Sequence, residues 1–292
     1  MAYNPNSASE RLLYSTVRIE CEVEGLLSTG SGYLYLFCKS GTVGITSIVT
    51  NKHVIKGATK GKIVLTAATS QRGIPKDNEH IEVTFEDFAS GFVMHPDSDV
   101  DLCILPFAHL LHKLRENNIE VFTQVLSDLD LPTSQEIEEF RALEDILMIG
   151  YPNGLWDNYN NKPIMRRGIT ASHPKFDYQG KKEILIDASC FPGSSGSPVF
   201  IFNEGVISNA RGELYSGVRS ILLGTQFAVH LHFADVMMPN TTQRFDLISQ
   251  IPNNLGLVIK SERLKDFEPL LNQMMAQKTL RILPFQYKIV KN

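Results

Sequence analysis

Two β-barrels of similar size, joined by a helical connector, are expected of this chain. Three features point there: short β-type runs before residue 106, helical spacing within 107–142, and a second series of β-type runs beyond it. Short strands punctuated by Gly and Asn favour barrels or sandwiches over α/β layering.

In the first series, Tyr14–Val23 partly alternates apolar and polar residues, as a half-buried strand does. Ser31–Phe37 follows, then a turn at Ser40-Gly41, then Ile45–Thr50. Further runs at Lys62–Thr66, His80–Phe85, Gly91–His95 and Asp101–Leu105 complete an N-terminal barrel over 1–106. In the connector, Ala108–Asn117 and Gln135–Arg141 read as helices, with Pro132 marking a break between them. The second barrel, 143–259, draws on Ile146–Pro152, Ile184–Asp187, Val199–Asn203, Ile221–Val229 and Leu255–Ile259. The remainder, 260–292, begins with Leu264, Phe267, Leu270, Leu271, Met274 and Met275 on one helix face. That helix is expected to pack back on the second barrel. The basic tail after it (Lys278, Arg281, Lys288, Lys291) reads as a solvated end.

Composition removes several classes of function. The chain has 292 residues, 43% hydrophobic and 21% charged, as an ordinary globular protein has. Its 28 Lys and Arg against 32 Asp and Glu leave a net charge of −4, which disfavours nucleic acid as a partner. No apolar run approaches the roughly 18 residues of a membrane span, and Met1–Glu10 lacks the apolar centre of a signal peptide. Cys21, Cys38, Cys103 and Cys190 show no CxxC spacing, so a reducing cytoplasm is the expected location. His230, His232 and Asp235 lack a fourth ligand, and neither metal nor cofactor is expected.

Three segments carry chemistry. Phe191-Pro-Gly-Ser-Ser-Gly-Ser-Pro198 is a tight turn able to expose a Ser hydroxyl. Gly193 can present its own amide there, and Gly196 lets the chain turn away without a side chain. Ile48–Ile55 ends an apolar strand on His53. Asp97-Ser-Asp-Val-Asp101 leads into another apolar strand; its three carboxylates share parity, and periodicity does not choose among them. Any one of these segments is unremarkable. Their occurrence together, in this order, is not.

The combination resembles the trypsin-like serine peptidases. It rests on Thr29-Gly-Ser-Gly32, Thr50-Asn-Lys-His-Val-Ile55, Asp101-Leu-Cys-Ile-Leu105, Ile149-Gly-Tyr-Pro152, Asp187 and Pro192-Gly-Ser-Ser-Gly-Ser-Pro198. Within that family it is most similar to the bacterial HtrA-like branch, without a PDZ domain. The resemblance implies an all-β fold of two six-stranded antiparallel barrels of the chymotrypsin type. It also implies a nucleophile at Ser195, a general base at His53 and an orienting carboxylate at Asp101, matching the Asp that opens the family's Asp-Ile-Ala-Leu strand. The amides of Gly193 and Ser195 would form the oxyanion hole, each donor contributing about 3–4 kcal/mol to the transition state.

Two departures matter. Ser194 stands where zymogen-type members carry Asp, so activation by N-terminal cleavage is not expected. Control would fall to loop ordering, a ligand or an activating protein partner, or be absent. Ser197 replaces the family's second Gly and tightens the site. By resemblance, the pocket for the residue before the cleaved bond (P1) is lined by Ser189 and Cys190, by Thr225–Phe227 centred on Gln226, and by Gly256–Val258. None of these is charged, so a small or medium apolar P1 is expected and a basic one would lack its carboxylate. The loop Gly154–Pro163 reads as a gate or as an exposed polar hairpin tip, and Arg166-Arg167 as a solvated strand end.

These readings converge on a serine endopeptidase acting through an acyl-enzyme on a protein or peptide substrate. A narrow intracellular processing role, in stress or defence, suits an enzyme that must not digest its host. Two alternatives use the same residues: a catalytically silent peptidase fold serving as a peptide-binding or regulatory module, and an esterase or amidase.

Overall fold

Alternation along each strand decides which core it feeds. The computed structural model describes residues 5–41, 43–69, 73–208, 212–235 and 248–292; of residues 208, 231–235 and 248–252 only the backbone is described. The first sheet contains β1 (Thr16–Val23), β2 (Leu26–Ser40), β3 (Val43–Thr50), β4 (Lys60–Ala68), β5 (Pro75–Glu86), β6 (Val93–Met94), β7 (Cys103–Pro106) and β8 (Val121–Phe122). The second contains β9 (Asp145–Gly150), β10 (Ile164–Thr170), β11 (Glu183–Asp187), β12 (Pro198–Ser208), β13 (Leu214–Asp235) and β14 (Ile248–Lys260). β15 (Phe285–Lys291) returns to the first.

β1 turns Val17, Ile19 and Cys21 into the first core. It joins β2 through Glu24 and Gly25, both at positive φ (52° and 81°), the two-residue turn whose twist suits a hairpin. β2 serves two cores. Leu34 faces the first, while Tyr33, Tyr35 and Phe37 face a cluster shared with Leu147, Ile149, Phe200 and Leu222 of the second sheet. β9 does the same from the other side, since Ile146 and Met148 enter the second core with Ile184, Ile186, Cys190 and Val258. Strands buried on both faces read as continuous apolar runs, as Ile146–Ile149 does.

The second sheet closes as a six-stranded barrel in the order β10-β11-β14-β13-β12-β9. The fold is thus the all-β one expected. Among the described residues the first sheet has nine strands rather than six, in the order β15-β5-β4-β1-β2-β3-β7-β6, with β8 paired to β4. The extra strands have simple causes: β15 comes from the far end of the chain, and β6 and β8 are two-residue pairings.

Among the described residues five α-helices punctuate the strands: α1 (Ala8–Leu12), α2 (Lys52–Ile55), α3 (Ala108–Glu116), α4 (Ser134–Glu139) and α5 (Phe267–Ala276). α3 and α4 lie in the connector as the spacing predicts. Thr133 and Glu136 form a capping box at the start of α4, each side chain satisfying the other's backbone N–H.

The C-terminal segment differs from expectation. α5 buries Phe267 and Leu271 in the cluster shared by both sheets, against Tyr33, Tyr35 and Phe37, rather than on the second barrel alone. The basic tail is a strand, not a solvated end. β15 pairs with β5 over seven positions, and Lys288 and Lys291 meet Glu82 and Glu79 (2.9 and 3.5 Å). Among the described residues no helix is long and apolar enough to cross a membrane. The side chains of His232 and Asp235, considered above with His230 as metal ligands, lie outside the described residues.

Candidate active site

The end of β3 places His53. Thr50 Oγ1 donates to Ser31 O (2.7 Å), and Asn51 Nδ2 donates to Asp101 O (2.7 Å), fixing both flanks of the turn into α2. His53 then meets Asp101 twice: its backbone N–H donates to Oδ1 (3.1 Å) and its Nδ1 bonds Oδ2 (2.5 Å). A carboxylate only accepts, so in the neutral imidazole the proton sits on Nδ1 and Nε2 keeps its lone pair. Asp97 is committed elsewhere, to Arg263 (2.6 Å) and to the backbone N–H of Asp99 (3.0 Å). The parity left open by the sequence is thereby resolved, since Asp101 is the carboxylate at His53.

The Pro192–Ser195 turn is held from several sides. Ser31 N–H donates to Ser195 O (2.9 Å), Gly196 N–H to Gln226 O (2.9 Å) and Gln226 N–H to Ser197 O (2.9 Å). Ser31 Oγ donates to Gly193 O (2.9 Å) and accepts from Tyr151 N–H (2.9 Å). Gly196, at φ +87°, lies so close to Ser31 O and Thr50 Oγ1 that a Cβ would collide with both. β2, β3 and β13 therefore set where Ser195, itself half-buried, can be.

The amides of this turn have a definite direction. Pro192 O accepts from Asn153 N–H (2.6 Å). In a trans peptide the carbonyl and the following N–H point oppositely, so the Gly193 N–H faces away from Asn153. Among the described residues neither Gly193 N–H nor Ser195 N–H has an acceptor. Two unspent donors on a pinned turn can bind a developing oxyanion without reorganising. His53 Nε2 and Ser195 Oγ are likewise without a hydrogen-bond partner among the described residues, and do not bond each other.

The residues assigned to the P1 pocket separate by environment. Cys190 is fully buried beside Met148 and Val258, with Sγ over Gly256 so closely that a Cβ there would lie 2.5 Å from it. Burial pushes its thiol up to about 11, so it is a protonated apolar filler. Gln226 is buried; its Nε2 donates to Ala228 O (3.1 Å), while Oε1 has no partner among the described residues. Ser189 is exposed, and its carbonyl accepts from Arg166 Nη1. Arg166, read from the sequence as a strand end, lies over the Phe191 ring at 4.8 Å, and burial lowers its pKa.

The loop Gly154–Pro163 is a polar turn docked on the first sheet. Asp157 caps Tyr159 and Asn160, Lys162 pairs with Asp77 (2.6 Å), and Arg18 covers Trp156 at 3.8 Å. The sequence reading missed the roles of Ser31 and Asn51, although both lie inside quoted motifs. Their partners are distant in the chain, and only the fold brings them together.

A His–Asp pair just after the strand that packs on a glycine-bounded Ser turn, in a fold of two packed β-sheets, is the arrangement of chymotrypsin-fold peptidases. Residues 30–207, more than half of the chain, match the trypsin-like peptidase domain, and the protein belongs to that family. Among solved structures it is similar to the HtrA-type protease AlgW with a tripeptide: 15% identity, TM-score 0.46, covering 93% of this chain and 63% of that one. The serine endoprotease from Yersinia pestis is 18% identical, with a TM-score of 0.44, 96% of this chain and 68% of that one covered. The active form of the Rv3671c protease from M. tuberculosis is 16% identical, with a TM-score of 0.41 and coverage of 94% and 87%. The chain spans less than two thirds of the length of AlgW. No curated protein matches it.

Proposed function

We propose that this protein is a serine endopeptidase with Ser195 as nucleophile. Ser195 Oγ attacks the scissile carbonyl while His53 Nε2 takes its proton. Asp101 holds the imidazole in the tautomer that leaves Nε2 basic and stabilises the imidazolium once formed. The Gly193 and Ser195 amides receive the oxyanion. His53 then gives its proton to the departing amine, leaving an acyl-enzyme, and the same steps with water release the acid. The observation that carries this reading is the pair of unspent amides on a turn that packs against Thr50, three residues before a His53 already oriented by Asp101. No cofactor enters these steps.

The missing Ser195–His53 hydrogen bond favours a second reading, a resting site completed by a peptide or an activating partner. Ser194 supports that idea, because its hydroxyl reaches only the Phe191 N–H at 3.4 Å and supplies no activating ion pair. The reading extends to a narrow processing role inside the cell, in stress or defence, and the four free thiols suit a reducing compartment.

Treating the purified protein with a fluorophosphonate probe and mapping the adduct by mass spectrometry tests the proposal. Labelling at Ser195, lost in Ser195→Ala, is expected. A folded wild-type protein that stays unlabelled, alone and with candidate partners, would leave a peptide receptor in its place.

A further inference from the structure

We propose that Arg166 makes this protein select substrates with an acidic side chain at P1, an inference resting on the peptidase reading above. Arg166 stands directly opposite Met148 on the antiparallel pair β10–β9, so their side chains share a face. Met148 packs in the second core with Cys190 and Val258, two of the residues assigned to the pocket. The strand therefore sends Arg166 to the pocket side. Its neighbour Arg167 goes the other way, exposed and 3.9 Å from Asp145. Treating the two as one solvated strand end overlooks this alternation.

The guanidinium is held against the pocket wall. Nη1 donates to Ser189 O, and the plane lies 4.8 Å from the centre of the Phe191 ring, four residues before Ser195. No carboxylate lies within 4.0 Å of it among the described residues. Other half-buried cations of the protein are paired: Arg18 with Glu20, and Lys162 with Asp77. Arg carries five N–H donors in a planar fork, and only one is used here. The remaining donors suit a carboxylate, which can accept two of them side by side. The apolar P1 expected from Cys190, Gly256 and Val258 took no account of this cation, because it reaches the pocket from a strand outside the pocket segments.

A peptide series differing only at P1 (Glu, Asp, Gln, Ala, Leu, Arg) tests the proposal on the full chain. The kcat/KM for Glu or Asp should exceed that for Gln by roughly ten- to a hundredfold, the range of a hydrogen bond to a charged group. In Arg166→Ala the acidic-to-neutral ratio should fall to about one, and Arg166→Glu should favour Arg at P1. A wild-type profile led by Leu, Ala or Arg overturns the proposal. So does an Arg166→Ala loss that is equal for every P1, because that is the signature of a wall strut. A second arm does not need catalysis. Fluorescent peptides ending in Glu or Gln are titrated into the Ser195→Ala protein, with and without Arg166→Ala. Tighter binding of the Glu peptide, lost without Arg166, supports the inference even if the wild type proves unreactive to fluorophosphonate. Equal binding of the two peptides rejects it, whatever the fate of the peptidase reading.

Discussion

Asp101 is the residue whose chemistry is most constrained by its surroundings. Both carboxylate oxygens accept hydrogen bonds, one from the His53 backbone and one from its ring. Asp101→Asn keeps the shape and replaces one acceptor by a donor. If the amide nitrogen faces the backbone N–H, two donors clash. If it faces the ring, Nδ1 must accept, the proton moves to Nε2, and the base is lost. With Ser195 as nucleophile, kcat should fall by about 10⁴-fold while KM and the melting temperature barely move. Steady-state kinetics beside a thermal melt checks this, and a loss under tenfold would mean that His53 is not the base. His53, Asp101 and the Ser195 turn were legible as residue types in short motifs, because their neighbours in sequence are also their neighbours in space. Ser31, Asn51 and Arg166 were not, since each acts on a partner in a distant loop or turn of the chain. A lone Ser or Arg carries no mark of that partner.

Elements depend on a few buried polar ties, and the clearest joins β13 to the chain entering β9. Glu144 is almost wholly buried and receives Arg219 through both guanidinium branches (2.7 and 3.3 Å), together with the Arg141 N–H (2.8 Å). Arg219→Ala would leave that carboxylate buried without its cation, and a loss of about 3–5 kcal/mol in unfolding free energy is expected. Arg219→Lys should recover part of it, because a point charge replaces a fork. Chemical denaturation of the three proteins measures the series; a change under 1 kcal/mol for the Ala variant would show Glu144 to be solvated after all. Periodicity found α3, α4 and α5 because amphipathic spacing is a local property. It missed β15, whose side chains are mostly exposed and whose lysines looked like a solvated tail. Lysines on an exposed edge are one way a sheet keeps other chains from adding to it, and here Lys288 and Lys291 lie on an edge that pairs with β5, some two hundred residues earlier.

At the scale of the whole molecule, two histidines join segments far apart in the chain, and both do so as neutral rings. His95 is buried. Its Nδ1 accepts from Asp97 N–H (3.1 Å), while Nε2 bonds Arg263 O and Asp266 Oδ2 (both 3.2 Å). That arrangement ties the loop leading to Asp101 to the segment just before α5. His80 on β5 similarly meets Tyr159 O (3.1 Å) in the turn after β9 and Asn292 (3.2 Å) at the end of β15. Burial is the main cause lowering both pKa values below 6.5. A group that is harder to protonate in the folded state than in the unfolded one stabilises the fold fully above the unfolded pKa. As pH falls below 6.5, the unfolded chain takes up protons that the folded one refuses, and stability declines toward the depressed folded values. The melting temperature should therefore be lower at pH 5.5 than at pH 7.5, and His80→Gln with His95→Gln should flatten the difference. The sequence offered no sign of this, because both residues sit in strand-like runs where a His reads as one more half-exposed position. Activity should follow stability only in part. Replacing His95 removes the ring nitrogen that accepts the Asp97 N–H and loosens the loop entering Asp101, so His95→Gln should cost turnover at pH 7.5 where His80→Gln does not. Equal turnover for the two single variants would confine His95 to stability and leave Asp101 positioned by Asn51 and His53 alone.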